Sequence, residues 1–257
     1  MIRNITDYNE LSPLLSAQLR PGVVTNAVQK KEDYLFAIAH GALYVQEFPG
    51  GLYLLWRRES HWQLYFYRQR DAVLPALEDM EHPVVLEVAS RPRDAALRAM
   101  EPVWKELGFR WQFDRLRMTR PAGPLQSASE DGAAYLAGES DCTEIRRLLL
   151  EVFDPHLSCL PTRAELRRDI AQERIFMTHG GVLRTAGNEL CQLAVDPALR
   201  RQGIAQKLIG AFLRQRGYAR STVWVRRYNT GAIRLYESLG YQPDGWTSVV
   251  WLLNQKG

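Results

Sequence analysis

Cysteine is scarce. Only Cys142, Cys159 and Cys191 occur in 257 residues, too few and too scattered for a disulfide framework or a metal knuckle, so no metal site is expected. No window approaches the ~18 uninterrupted apolar residues of a membrane-spanning helix, and the stretch from Met1 to Glu10 has no apolar core of the kind that directs secretion. The expectation is a soluble protein of a reducing cytoplasm, without a membrane partner. Charge of one sign is lacking too. The net charge of +4 is mild, and the arginine pairs Arg167-Arg168, Arg200-Arg201 and Arg226-Arg227 are separated by acidic or apolar residues. No basic stripe is left for a nucleic-acid backbone, so no nucleic-acid partner is expected. What remains is an ordinary globular composition with apolar material for two modest domains. Monomer and homodimer both stay open.

The segment from Glu189 to Ala205 carries the most information. Glu189 to Val195 has strand length, and Asp196-Pro197 ends it, because proline fixes φ and removes the N–H that a central ladder needs. Beyond the turn, Ile204, Leu208, Ala211 and Phe212 recur at helical spacing until Gly217 supplies a C-terminal stop. The turn Arg200-Arg201-Gln202-Gly203-Ile204-Ala205 therefore joins a strand to a helix. A helix start offers unpaired N–H groups and the positive end of the macrodipole, both of which favour an anion. Gly203 and Ala205 let a diphosphate approach the backbone, and Arg200 and Arg201 add charged donors. No Gly-Lys-Ser/Thr ends the turn and no three-glycine fingerprint opens it, so neither familiar nucleotide loop is present. Downstream, Ser221 to Val225 reads as a strand. Asn229 to Tyr241 reads as a short helix with Ala232, Leu235, Tyr236 and Leu239 on one face and Gly240 as its cap.

These two segments resemble the GNAT superfamily of N-acetyltransferases. Its acyl-CoA signature, Arg/Gln-x-x-Gly-x-Gly/Ala after a strand, is matched at Arg200, Gly203 and Ala205. Its second signature, Asn-x-x-Ala-Ile-x-Leu-Tyr-x-x-Leu-Gly-Phe/Tyr, is matched from Asn229 to Tyr241 at the expected distance. The resemblance covers the last half of the chain. It implies an α+β fold, an α/β/α layered mixed sheet, over residues 133–257 in the order β-α-α-β-β-β-α-β-α-β. The linker is placed in 119–132, which holds two prolines, two glycines and two serines without apolar periodicity.

Residues 1–120 repeat much of that order: helices near Asn9 to Gln18 and Asn26 to Ala37, three strands between Leu43 and Tyr67, a helix near Ala72 to Asp79, a strand from Pro83 to Ala89, and a helix near Ala95 to Leu107. Leu107-Gly108-Phe109 echoes Leu239-Gly240-Tyr241, which suggests tandem GNAT-like domains. The first copy departs in its chemistry. Arg68 to Pro75 has no glycine where a diphosphate would lie, and Pro92 and Trp104 stand for Asn229 and Tyr236. That copy is read as degenerate, without a cofactor site.

The resemblance implies acetyl-CoA as co-substrate, direct attack by a primary amine of a small molecule or peptide, and no protein nucleophile. An amine of pKa ~10 must lose a proton before attack, and the departing thiolate must gain one. Tyr236 holds the position of the family's acid; it could equally fill the core beside Leu235 and Leu239. Glu189 lies four residues before Leu193, where histone-type members carry a base; a solvated or ion-paired glutamate is the alternative. Leu193, Ala194 and Val195 are expected to bind pantetheine through their backbone, with an N–H of this strand serving the thioester carbonyl. Residues Arg200 to Ala205 take the pyrophosphate, and Asn229 contacts the cofactor or caps its helix. Cys191 is read as sharing a face with Glu189. Members acting on ribosomal protein N-termini carry a glutamate five residues before the asparagine. Here that residue is Trp224, which argues against ribosomal substrates. A non-catalytic acyl-CoA-binding regulatory protein is the alternative function.

Overall fold

The computed structural model describes residues 1–77, 80–125 and 134–254. They form two compact units, one of Met1–Asp114 with the chain from Thr247 onward, the other of Arg115–Trp246. Unit 1 contains β1 (Arg3–Asn4), α1 (Tyr8–Gln18), β2 (Val23–Thr25), α2 (Lys31–Ala39), β3 (Leu43–Phe48), β4 (Gly51–Arg57), β5 (Trp62–Gln69), β6 (Val84–Ser90), α3 (Ala95–Arg98), α4 (Glu101–Glu106) and the start of β7 (Arg110–Arg120). Unit 2 continues with β8 (Tyr135–Leu136), α5 (Cys142–Val152), α6 (Arg163–Ala171), β9 (Ile175–Thr178), β10 (Gly181–Ala186), β11 (Glu189–Val195), α7 (Ile204–Gln215), β12 (Ser221–Arg226), α8 (Thr230–Ser238) and the start of β13 (Gln242–Leu253).

Alternation along the strands gives each sheet two apolar faces, and each face is covered by helices. In unit 2, Val182 and Ala194 pack with Ile145, Leu148 and Leu166 of α5 and α6. Leu183, Leu190, Val223 and Val225 pack on the other side with Leu208, Phe212 and Tyr236 of α7 and α8. Unit 1 follows the same plan, with α1 and α2 over Val45 and Leu54 and Trp104 of α4 against Leu64 and Leu86. The second half keeps the expected element order.

Both sheets are completed by strands that run across the unit boundary. Residues 115–120 of β7 lie antiparallel to β12, with Arg115 opposite Arg226 and Arg120 opposite Ser221. Residues 247–253 of β13 lie antiparallel to β6, with Thr247 opposite Ser90 and Leu253 opposite Val84. The sequence assigned residues 1–120 and 133–257 to separate domains; ladder pairing instead puts Thr247 to Leu253 in unit 1 and Arg115 to Arg120 in unit 2. Of the expected linker, Thr119 and Arg120 belong to β7, and residues 126–133 lie outside the described residues.

Three expected helices differ. Ala72 to Leu77 is irregular, because Pro75 interrupts it and the Pro75 carbonyl accepts from Tyr53 Oη at 2.9 Å; Glu78 and Asp79 of that segment lie outside the described residues. The helix expected from Asn26 starts at Lys31, since the β-branched run Val23–Thr25 is a strand and the Asp33 carboxylate accepts from the Lys30 N–H at 3.1 Å. The helix expected over Ala95 to Leu107 is two short ones, α4 opening with Pro102 in its first turn.

Because each sheet borrows its closing strand, fragments 1–120 and 133–257 produced separately should each lack a cooperative thermal transition. Produced together, they should co-purify and regain one. Circular dichroism melts of the three samples check this; cooperative melting of either fragment alone would contradict it.

Candidate functional site

The turn after β11 is built from strained backbone. Asp196 anchors it: its N–H donates to the Gly180 carbonyl at 2.9 Å, and its carboxylate accepts from the Ala198 N–H at 2.9 Å. A side chain on Gly180 would meet Leu199 at 2.3 Å, and one on Gly181 would meet Ile204 at 2.5 Å. The β9–β10 hairpin can press on the turn only because both are glycine. Arg201 and Gly203 then adopt left-handed φ of 65° and 75°, which for the arginine costs about 1 kcal/mol or more. Among the described residues, the N–H groups of residues 200–206 meet no protein acceptor. Arg200, Arg201 and Gln202 are exposed, while Gly203, Ile204 and Ala205 are half-buried at the start of α7. Unpaired amides, alternating left-handed residues and a helix N-terminus make a cradle for an anion. Packing does not require Gly203: a Cβ there would meet nothing nearer than Gln206 Oε1 at 3.7 Å.

The cradle lies beside a gap in the sheet. Strands β11 and β12 run parallel and pair only at Glu189 with Thr222 and at Leu190 with Val223. From Gln192 to Val195, β11 keeps β10 on one edge and, among the described residues, pairs with no strand on the other. Along Leu193 to Val195 alternate backbone groups are turned toward the opening, where the Val195 carbonyl accepts from Arg200 Nε at 3.5 Å.

Tyr236 and Glu189 occupy opposite faces of this sheet. Tyr236 belongs to the α7–α8 core, edge-on to Tyr241 at 5.7 Å. Burial, with Tyr241 adding, holds its hydroxyl well above the ordinary phenol range. Among the described residues that hydroxyl has no hydrogen-bond partner, so it keeps its proton and has nowhere in the protein to give it. Glu189 pairs with Thr222, next to Leu190 and Val223 of the opposite core, and so sits on the α5–α6 face at the closed end of the gap. Asn229 is exposed and caps α8, its Oδ1 accepting from the Ala232 N–H at 3.1 Å.

Cys191 is not in simple alternation with Glu189. Register shifts there, with Arg184 opposite Gln192 and Thr185 opposite Leu190, so Cys191 is the extra residue of a β-bulge. Sequence alternation missed the bulge because nothing in the residue types marks it. Beside it runs a buried polar network: Arg184 Nε donates to Asp169 Oδ2 at 2.6 Å and its Nη1 to Gln192 Oε1 at 2.9 Å, with the Asp169 side chain 1% exposed. A second cluster lies along β7. Arg117 pairs with Asp244 at 2.7 Å under the rings of Trp246 and Trp224, at 4.9 and 5.8 Å from their centroids. Burial alone would raise the Asp244 carboxyl, but hydrogen bonds from Arg117 and Thr119 outweigh it and hold it below the ordinary range. Arg115 and Arg117, one pleat apart, are its signal in the sequence, masked because the strand runs into the expected linker.

Unit 1 has the corresponding parallel pair, β5 with β6, and it too separates after Trp62–Leu64 meets Val84–Leu86. There the gap is filled by the chain itself. Since β4 occupies the far edge of β5 throughout, β2 pairs with Tyr67–Gln69 on the gap side. Asn26 then bridges the opening: its Nδ2 donates to the Leu64 and Glu87 carbonyls at 3.1 and 3.0 Å, and its Oδ1 accepts from the Phe66 N–H at 2.8 Å.

Burial pushes the Cys191 thiol up to about 11, with Glu189 adding and Arg184 opposing. A raised thiol stays neutral below that pH, so about one in a thousand is ionised at pH 8. Alkylation of Cys191 by iodoacetamide, followed by mass spectrometry, should be slow at pH 8 and rise about tenfold per pH unit to pH 10; a pH-independent rate would contradict the burial.

Known proteins resemble this chain in sequence and in fold. Residues 169–243 match the model of the acetyltransferase (GNAT) domain. Over 57 residues, 20% of this chain and 38% of the relative, the sequence is 49% identical to the [ribosomal protein bS18]-alanine N-acetyltransferase of Haemophilus ducreyi, so the chain spans well under half of that curated relative. Among solved structures, a GNAT-family acetyltransferase of Colwellia psychrerythraea aligns over 100% of both chains with a TM-score of 0.54 at 14% identity. A GCN5-related N-acetyltransferase of Sphaerobacter thermophilus aligns over 100% of this chain and 96% of its own, with a TM-score of 0.55 at 17% identity. At such identities these two speak for the fold alone. Residues 169–243 are thus a GNAT acetyltransferase domain, set in the second unit of a chain whose two units repeat one fold.

Proposed function

We propose that this protein is an acetyl-CoA-dependent N-acetyltransferase acting on a primary amine, with its single cofactor site in unit 2. The observation that carries this reading is the unpaired edge of β11 running into the amide cradle at residues 200–206. Leu193, Ala194 and Val195 offer extended backbone to a pantetheine arm. Arg200, Arg201, Gln202, Gly203, Ile204 and Ala205 offer amides and guanidinium groups to a diphosphate. When bound, acetyl-CoA supplies the thioester-activated acetyl group that an amine attacks, forming a C–N bond as the C–S bond breaks.

The remaining groups manage protons. Glu189 faces the α5–α6 side and takes a proton from the incoming ammonium, directly or through water. Tyr236, on the opposite face, keeps its proton because burial raises its hydroxyl, and it donates that proton to the leaving sulfur. The Leu193 N–H stabilises charge on the carbonyl oxygen. Asn229 holds the start of α8, from which Tyr236 projects. In unit 1, β2 and Asn26 occupy the matching gap, which supports one acetyl-CoA per chain. The Haemophilus relative acts on ribosomal protein bS18, but Trp224 here stands where such enzymes carry a glutamate, so a different amine is inferred.

Acetyl-CoA should raise the melting temperature of the whole protein. Gly203→Leu should fold, since space for a side chain exists and the left-handed φ costs only about 1–2 kcal/mol, yet it should lose that shift. An unchanged melting temperature in the native protein would overturn the reading. Tyr236→Phe should keep the shift while lowering kcat by about 100-fold; stopped assays of CoA release measure this, and undiminished turnover would remove Tyr236 from the proton path.

A further inference from the structure

Two half-buried indoles of unit 2 lie outside its apolar cores. Trp224 and Trp246 join neither the α7–α8 cluster nor the α5–α6 cluster, although an indole is among the largest apolar surfaces a side chain can bury. Both rings gather instead around Arg117, whose guanidinium carbon lies 4.9 Å from the Trp246 centroid and 5.8 Å from that of Trp224. Arg117 is itself held. Its Nε donates to Asp244 Oδ2 at 2.7 Å, its Nη2 lies 2.7 Å from the same oxygen, and Thr119 Oγ1 donates there too, at 2.7 Å. With its charge matched by Asp244, the guanidinium serves the rings as a fixed flat support.

Position gives Trp224 a use. Glu189 pairs with Thr222 and Leu190 with Val223, while Leu190, Val223 and Val225 belong to the α7–α8 core. Glu189, Thr222 and Trp224 therefore share the opposite face. A residue two places beyond a ladder partner is about 7–8 Å away, within reach of an aromatic side chain. On one side Trp224 has Arg117 as its ladder partner; on the other, β11 has left the ladder. The chain after α5 comes over the same face, where the Leu157 carbonyl accepts from Arg115 Nη2 at 3.4 Å. A carboxylate and an immobilised indole thus stand side by side where the strands part.

Resting on the acetyltransferase reading above, we infer that Trp224 selects the acceptor, a primary amine joined by a short linker to a flat apolar group that lies against the indole while the nitrogen meets Glu189. Aromatic groups pair well in offset or edge-to-face contact, and a wall already fixed by Arg117 and Asp244 loses little freedom when it is covered. An amine on a polar skeleton gives up water there against a ring that offers no hydrogen-bond acceptor. The same chemistry is present in a free aromatic amine and in a peptide whose first residue is aromatic.

The test is CoA release from acetyl-CoA with matched acceptors: phenethylamine against a hydroxyether amine of equal length, and peptides beginning with phenylalanine against peptides beginning with serine. Apolar members should exceed polar ones in kcat/KM by about tenfold or more. Trp224→Ala should collapse that ratio by about tenfold, chiefly through KM, and Trp224→Phe should keep most of it. Both variants should retain the melting shift with acetyl-CoA; should Trp224→Ala fail to fold, Trp224→Gln reads the same ratio. Preference within the peptide pair alone would sustain the inference and place the ring on a peptide. Equal use of both members, an unaltered ratio in Trp224→Ala, or turnover of polar amines only would overturn it. The melting shift of the native protein separates the two levels: if it persists while polar amines are preferred, only the apolar acceptor falls, and if it is absent, the enzyme reading falls first.

Discussion

Backbone amides and carbonyls need partners, and a parallel strand pair that parts company leaves two edges unmet. Both units contain such a parting, β5 from β6 and β11 from β12, and they resolve it in different ways. Unit 1 satisfies the edge internally, with a three-residue strand and the three hydrogen bonds of Asn26. Unit 2, among its described residues, leaves it open beside amides that meet no protein acceptor. One architecture thus serves as scaffold in one unit and as a ligand site in the other, and the difference is whether a few residues of the chain return to fill the seam.

The open seam also organises the chemistry around it. A phenol that cannot easily ionise lies on one face, and a carboxylate lies on the other. The helices on the two faces are fixed by separate means: α8, which carries Tyr236, by its Asn229 cap, and α6, on the face of Glu189, by its Thr162–Glu165 capping box and by the Asp169–Arg184 pair. Removing one partner of such a buried pair costs about 3–5 kcal/mol, so that pair holds α6 firmly against β10. The bulge at Cys191 re-aims the strand between Glu189 and Leu193, a position where a regular strand would have kept both on one face.

Much of this was legible in the residues. The strand–turn–helix around Gly203 and the helix from Asn229 to Tyr241 carry local signals: a proline stop, glycines at positive φ, helical apolar spacing. Those depend on near neighbours in sequence, and they appear where expected. What was not legible depends on partners far away in the chain. Val23–Thr25 becomes a strand only because the edge of β5 beyond Leu64 is free to pair. Asn26 resembles a helix start until three backbone groups from β5 and β6 claim its amide. The ownership of Thr247 to Leu253 is set by a ladder with residues 84–90, about which the terminal segment itself says nothing. The contact of Arg117 with the rings of Trp224 and Trp246 exists only in the folded sheet, since none of the three is unusual alone.

The closing strands bear on the order of events as the chain is made. Unit 1 is synthesised first, yet its sheet lacks the strand beside β6 until residues 247–253 have emerged, and Trp251 of that strand is buried in the core that contains Leu64, Leu86 and Trp104. Until then the edge of β6 stays open and that core incomplete, which leaves a nascent chain with a sticky sheet edge for most of its time on the ribosome. Pairings so distant in sequence close slowly even once available. The first half of this protein is therefore the last to be finished.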